Sequence, residues 1–309
     1  LAIATSKGNS SVQSIGETHA AEANILGQYI PLHYHFQMLQ DQRRLVTFRR
    51  AIEQHVKPGM HVVELGGGTG ILSSFAARCG AHVTCVEHNP QLAEFAKHSL
   101  CANGWNELVT VVLEDANRFV PDEPVDIVIC EMLHVGLLRE KQTSILSTFK
   151  DNYRAHWNEE LPRFIPEASR LMVQLIEHPF DFEGYYAPLT IFQAPDQTAN
   201  ADLRELSVLR DYAQVFYDEE IPSFVRWRGT LRANSGGFLS ALRFVTLNFL
   251  SVESTGESPT WPNQFLIVPL PEPSSVVEGQ EVDIEFCYQF GDPLEQLQQS
   301  IRVVFKPVE

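Results

Sequence analysis

Four short β-branched runs, HVVEL from His61, HVTCVE from His82, VTVVLE from Val109 and DIVICE from Asp126, follow one another with a Gly-rich turn, a helical stretch and loops between them. Strands that alternate with helices build a mostly parallel, doubly wound sheet, so this stretch is expected to be α/β. Upstream, Phe36, Leu39, Leu45, Phe48, Ile52 and Val56 recur at helical spacing, predicting one or two helices between Tyr34 and Val56 that end at Lys57-Pro58-Gly59. The stretch Pro90 to Ala102 predicts another helix.

After Pro166 the texture changes. SRLMVQLIE, FLSALRFVTLNFLSVES, NQFLIVPL and EVDIEFCYQF read as strands separated by Pro, Gly and Asn-rich turns, which predicts a second, mostly antiparallel domain. Ala194 to Tyr212 is the exception, predicted as turn residues followed by a short amphipathic helix. The expected division is a loosely held, polar lead-in over 1–24, an α/β domain over 25–166 and a β-rich domain over 167–309. A chain of 309 residues, 44% of them hydrophobic, can bury cores for both domains. No apolar run is long enough to cross a bilayer and the opening residues lack the order of a secretory signal, so a cytoplasmic protein without a membrane partner is expected. The five cysteines, Cys79, Cys85, Cys101, Cys130 and Cys287, show no paired spacing and are expected to be reduced and mostly buried. A net charge of -16 disfavours a phosphate-binding surface, which excludes nucleic acid as an expected partner and fits a cationic one.

The run Val62 to Gly70, VVELGGGTG, joins a buried strand to a helix through glycines at 66, 68 and 70, where the backbone can approach a ligand closely. Dinucleotide enzymes use a related turn, so the glycines alone do not choose the ligand. Three acids do more. Glu64 stands inside the end of the first strand, where it would repel a pyrophosphate and hold an ammonium group, directly or through solvent. Glu87 closes the second strand, the place where a carboxylate accepts from both hydroxyls of a ribose. Asp115, with Ala116 behind it, closes the third, where such folds read an adenine amino group. A ligand with adenine, ribose and a charged amino-acid tail is S-adenosylmethionine, with NAD as the alternative. No metal is expected: His33 and His35 alternate at a helix start, a poor chelating geometry.

The cofactor pattern resembles that of class I methyltransferases, and the surrounding residues are similar to one branch, the protein arginine methyltransferases. The likeness runs through His35 to Arg44 (HFQMLQDQRR, similar to the family's HxxMLxDxxR helix), GGGTGILSSFAARCGA, VEHN, VDIVICEMLHVGLLRE and FIPEASRL, with a fainter match from GFLSALRF to QEVDI. The resemblance implies a Rossmann-like seven-stranded methyltransferase domain followed by a mostly antiparallel, β-barrel-like substrate domain. It also implies that His35 and Met38 cover the cofactor, that Arg44 pairs with its carboxylate, and that Glu131 and Glu140 grip the guanidinium of a substrate arginine, Glu131 also bordering the cofactor. The expected partner is then a basic, Arg-containing protein or peptide, and a homodimer is expected by analogy.

Two departures stand out. Cys130-Glu131-Met132-Leu133-His134 replaces the family's Ser-Glu-Trp-Met-Gly, which sets a histidine beside the expected substrate channel. Pro259-Thr260-Trp261 stands where the family has Thr-His-Trp, whose histidine pairs with the aspartate matched by Asp41. Either His134 or His35 substitutes for that histidine, so Asp41 and His134 join the expected catalytic set, or the acceptor is different. Two further readings therefore stay open: an enzyme of this fold acting on a small metabolite or another nucleophile, and a non-catalytic homologue that keeps the cofactor pocket.

Overall fold

The computed structural model describes residues 32–157, 160–195, 203–252 and 258–307, with side chains from Tyr34 onward. The expected lead-in over 1–24 lies outside the described residues. Two helices come first, α1 (Leu32–Gln40) and α2 (Gln42–His55), and they break where the Asp41 side chain accepts from Arg44 N at 2.8 Å, an N-cap that stops one helix and starts the next. Then follow β1 (His61–Leu65), α3 (Ile71–Arg78), β2 (His82–Glu87), α4 (Pro90–Ala102), β3 (Val109–Leu113), β4 (Ile127–Cys130), α5 (Gln142–Trp157) and β5 (Arg163–Ile165).

The five strands form one parallel sheet in the order β3-β2-β1-β4-β5. Val62, Val63, Leu65, Val128 and Ile129 are fully buried, as strands covered by helices on both faces require. The described sheet stops at five strands where the resemblance implies seven, because the chain turns at Pro166 and enters an antiparallel layer. There β6 (Ala168–Glu177) pairs with β11 (Arg210–Phe216) and β13 (Gly237–Phe249).

The antiparallel part also contains β7 (Asp181–Phe182), β8 (Tyr185–Tyr186), β9 (Ile191–Gln193), β10 (Arg204–Glu205), β12 (Phe224–Arg232), β14 (Thr260–Pro262), β15 (Phe265–Val276), β16 (Glu281–Gln289), a short helix α6 (Leu294–Ser300) and β17 (Arg302–Phe305). A seven-stranded sheet is built on β10-β6-β13-β15-β9, and a three-stranded one runs β12-β16-β17. The two sheets meet through rings: Phe286 of β16 lies 5.1 Å from Tyr212 of β11 and 5.3 Å from Phe244 of β13. Each such pair adds about 0.5–1.5 kcal/mol beyond its buried area.

The helix expected between Ala194 and Tyr212 is absent from the described part of that segment, where Arg204–Glu205 form β10 and Arg210 opens β11 instead; residues 196–202 lie outside the described residues. Leu206 N donates to Leu175 O at 2.9 Å and Leu175 N to Ser207 Oγ at 3.0 Å, so the edge of β6 captures this stretch. A short apolar run satisfies either period, and the need to pair a buried strand edge decides between them. All five cysteines are free, but only Cys85 and Cys130 are buried while Cys101 and Cys287 are exposed, so the expectation of mostly buried thiols is corrected. No helix among the described residues is long and apolar enough to cross a membrane.

Candidate active site

The site lies at the carboxyl edge of the parallel sheet, where β1, β2, β3 and β4 end side by side. Gly66, Gly68 and Gly70 carry φ of 75°, 55° and 78°, conformations that cost an ordinary residue strain. Gly67 is needed for a different reason: a Cβ there would stand 2.1 Å from Cys85 Sγ. Gly66 N and Gly67 N both donate to Val86 O at 2.9 Å, which ties the turn onto β2.

The three strand-end acids are held by backbone. Glu87 accepts from Gly68 N at 2.8 Å through one oxygen and from Asn89 N at 2.7 Å through the other. Each oxygen keeps a further acceptor site. Glu64, 3% exposed, accepts from Ser73 N at 2.8 Å and from the Ser73 hydroxyl. Burial raises its carboxyl to about 8, against the pull of those hydrogen bonds. Burial works to raise Asp115 too, but hydrogen bonds from Asn117 N and Nδ2, both 2.9 Å, and the charges of His88 and Arg118 hold it below the usual carboxylate range.

These groups border one cavity of about 240 Å³. Of the residues singled out in the sequence, His35, Met38, Arg44, Glu64, Gly66, Gly68, Glu87, Asp115, Ala116, Glu131 and Glu140 all line it. Gly70 lies just behind as the N-cap of α3. The His35 ring sits against the glycine turn, 3.2 Å from where a Gly68 Cβ would be. The lining carries six carboxylates, Glu64, Glu87, Glu114, Asp115, Glu131 and Glu140, against Arg44 and Lys141. Burial holds back part of the charge of Glu64 and Glu140, but the acids still outnumber the bases around the cavity, which disfavours a pyrophosphate and turns the choice from NAD toward a sulfonium.

Glu131 follows β4 with its side chain 9% exposed. Its Oε2 accepts from Arg44 Nε at 3.0 Å and from Arg44 Nη2, while Arg44 Nη1 lies 3.5 Å from Met38 O. Burial raises the Glu131 carboxyl and the Arg44 charge opposes it. Burial, then repulsion from Glu131, brings Glu140 to about 7. Between the two acids the backbone is strained: Leu137 and Arg139 have φ of 54° and 63°, beside Gly136 at 69°. Residues of this kind persist only where their surroundings impose the conformation.

Here the antiparallel layer imposes it. Gly136 N donates to Thr246 Oγ1 at 2.7 Å, Tyr288 OH to Gly136 O at 2.9 Å, Asn263 Nδ2 to Leu133 O at 3.1 Å, Arg139 N to Asp292 O at 2.9 Å and Gly291 N to Leu137 O at 2.8 Å. Neither Asp41 nor His134 lines the cavity. Asp41 caps α2, and the His134 ring meets Phe192 edge-on at 5.3 Å. Burial and the Arg139 charge lower His134 to about 4. Trp261 packs on Phe48 at 6.1 Å. Ser73, Gln142, Asn263 and Tyr288 were not singled out in the sequence; each acts by reaching a distant backbone or side chain, and no local period marks that.

A methyltransferase-domain family model matches residues 62–156. An uncharacterized protein of Methanocaldococcus jannaschii is 25% identical over 268 residues, 87% of this chain and 96% of that protein. An arginine N(omega)-methyltransferase of Streptomyces achromogenes is 32% identical over 161 residues, which span 50% of this chain and 43% of that relative. Among solved structures, the Trypanosoma brucei PRMT1 enzyme-prozyme heterotetrameric complex with AdoHcy superposes with a TM-score of 0.68 at 17% identity, covering 88% of this chain and 96% of that one, a likeness of fold. The fold, the glycine turn and the matched domain define an S-adenosylmethionine-dependent methyltransferase, and S-adenosylmethionine is its cofactor. Within that class the chain is divergent and resembles the protein arginine methyltransferases.

Proposed function

We propose that the protein N-methylates arginine side chains of a basic protein or peptide. The observation that carries this reading is a guanidinium already seated on Glu131: Arg44 offers it Nε and Nη2, while Glu140 borders the same cavity near enough to be raised by the Glu131 charge. A second guanidinium entering between two such acids meets a wall built for it. The protonated guanidinium is a poor nucleophile, and paired anions draw its positive charge away from one nitrogen.

S-adenosylmethionine supplies an electrophilic methyl on a sulfonium sulfur, which keeps the electron pair of the broken carbon–sulfur bond. The chain's residues position the rest. Glu87 would accept from the ribose hydroxyls, Asp115 and Ala116 would border the adenine, Glu64 would face the ammonium group, and Arg44 would serve the carboxylate while it steadies Glu131. Gly66, Gly68 and Gly70 admit the ligand to the backbone, and His35 and Met38 close over it. Glu131 and Glu140 orient the acceptor nitrogen within the roughly 3–3.5 Å that in-line transfer needs. Glu140, standing at about 7, takes the proton the nitrogen loses. Asp41 and His134 act through position, Asp41 by capping the helix that carries Arg44 and His134 by bracing the acid loop on Phe192. The division at Pro166, a cytoplasmic setting and a homodimer belong to the same proposal, the last by analogy alone.

One observation favours a second acceptor class. Asp41 has Arg44 N as its partner and Thr260-Trp261 brings no histidine, so a small guanidine or amine metabolite is the alternative. Incubation with labelled S-adenosylmethionine and a panel of Arg-rich peptides, Lys-rich peptides and small-molecule extracts tests this. Label on peptide arginine is expected; label confined to the small-molecule fraction moves the reading to the alternative, and no label anywhere overturns both.

A further inference from the structure

Gln142 opens α5 with its side chain turned inward, 1% exposed. Its Nε2 donates to Cys130 O at 2.7 Å and its Oε1 accepts from Met132 N at 2.9 Å. The two partners flank Glu131. In a parallel sheet the residue opposite position i donates to the carbonyl of i−1 and accepts from the amide of i+1. The Gln142 carboxamide therefore fills the place of a peptide group beside Glu131. That place is open because β5 ends at Ile165, opposite Ile129, and the chain then leaves for the antiparallel layer. On the other side β1 still pairs Leu65 with Cys130.

Gln142 also follows Glu140 by two residues. One side chain thus joins the two ends of the strained loop at its base, hydrogen-bonded around one acid and covalently next to the other. We propose that Gln142 is a positioning residue that sets the separation of Glu131 and Glu140 for the cationic acceptor. The inference rests on the reading of that acid pair as the acceptor grip.

Gln142→Met keeps the shape and removes both bonds; Gln142→Asn keeps the amide but is too short to span both partners. With the Arg-rich peptide of the labelling panel as acceptor, kcat is expected to fall about tenfold in Gln142→Asn and about a hundredfold in Gln142→Met, one or two buried hydrogen bonds lost from the oriented state. Cofactor affinity by calorimetry is expected to stay within about threefold in both, because Glu64, Glu87 and Asp115 are held by Ser73, Gly68, Asn89 and Asn117 and not by Gln142. A purely structural role would lower cofactor affinity and turnover together, and that outcome overturns the proposal, as does turnover within twofold of the unaltered protein. Gln142→Asn carries the test if Gln142→Met does not fold. Unchanged turnover of this peptide by Glu131→Gln defeats the acceptor grip itself; an inactive Glu131→Gln beside a fully active Gln142→Met defeats only the role of Gln142.

Discussion

The two walls of the cavity are built on different principles. On the cofactor side the supporting contacts are short in sequence: Glu87 reaches Gly68, 19 residues away, Glu64 reaches Ser73, 9 away, and Asp115 reaches Asn117, 2 away. On the acceptor side the loop from Glu131 to Glu140 hangs on Thr246, Asn263 and Tyr288, which lie 110, 130 and 152 residues from their partners. The three acids of the cofactor wall and their supports all lie between Glu64 and Asn117, inside the matched domain at 62–156. The other wall is held at its base by Arg44 and Gln142, but the span between its two acids depends on a second layer folding against it.

The largest test of this contrast is Glu131→Gln, expected to reduce kcat by roughly 10²–10³ while leaving cofactor affinity within about threefold. Unaltered turnover in steady-state assays would remove Glu131 from its role. Next in size, Glu87→Ala should weaken cofactor binding by about tenfold or more, because two hydroxyl partners and the anchor of Gly68 are lost together. Unchanged affinity by calorimetry would count against the ribose contact. Tyr288→Phe reaches the acid loop from the far layer. It deletes the bond to Gly136 O and the Tyr212 hydroxyl partner, for about 1–3 kcal/mol of stability, and should lower kcat severalfold without touching cofactor affinity. If cofactor binding falls in step, the two walls are not separable.

The smallest effect is a slope. Glu64 at about 8 and Glu140 at about 7 stand above the ordinary 4.5, so the folded protein binds more protons than the unfolded chain between those values. Their contribution to stability is complete below about 4.5 and is lost as pH rises through 7 and then 8. The melting temperature without cofactor should therefore drift down from pH 6 to pH 8.5, and Glu64→Gln should flatten the upper part of that drift. A slope unchanged in the variant would show that Glu64 is already ionised.

Legibility followed the same divide. The alternation of strand and helix, the glycine turn and the acids at three strand ends were readable because a strand end, a turn and a helix start are neighbours in the chain. Asp41 as the break between two helices was within reach of a capping reading, and the helices were expected without it. The stretch up to Tyr212 reads as helix in the sequence because the edge of β6 that pairs it lies 27 to 39 residues upstream and leaves no mark on its own period. Arg44 lines the cavity, and its partnership with Glu131, 87 residues away, leaves no local mark in the sequence. Gln142 resembles any polar helix start until its two backbone partners are seen.

Lys150 lies midway along α5, nearly buried, and its ammonium group donates to Tyr217 O at 2.9 Å and to Glu219 O. The helix that begins at the acid loop is thereby buckled to the chain just beyond β11, so the layers share a crossbeam as well as a face. Loosening either layer draws a buried charge out of its socket in the other. The two layers are thereby coupled, and a ligand that steadies the methyl-donor pocket is expected to steady the strands packed on α5 as well.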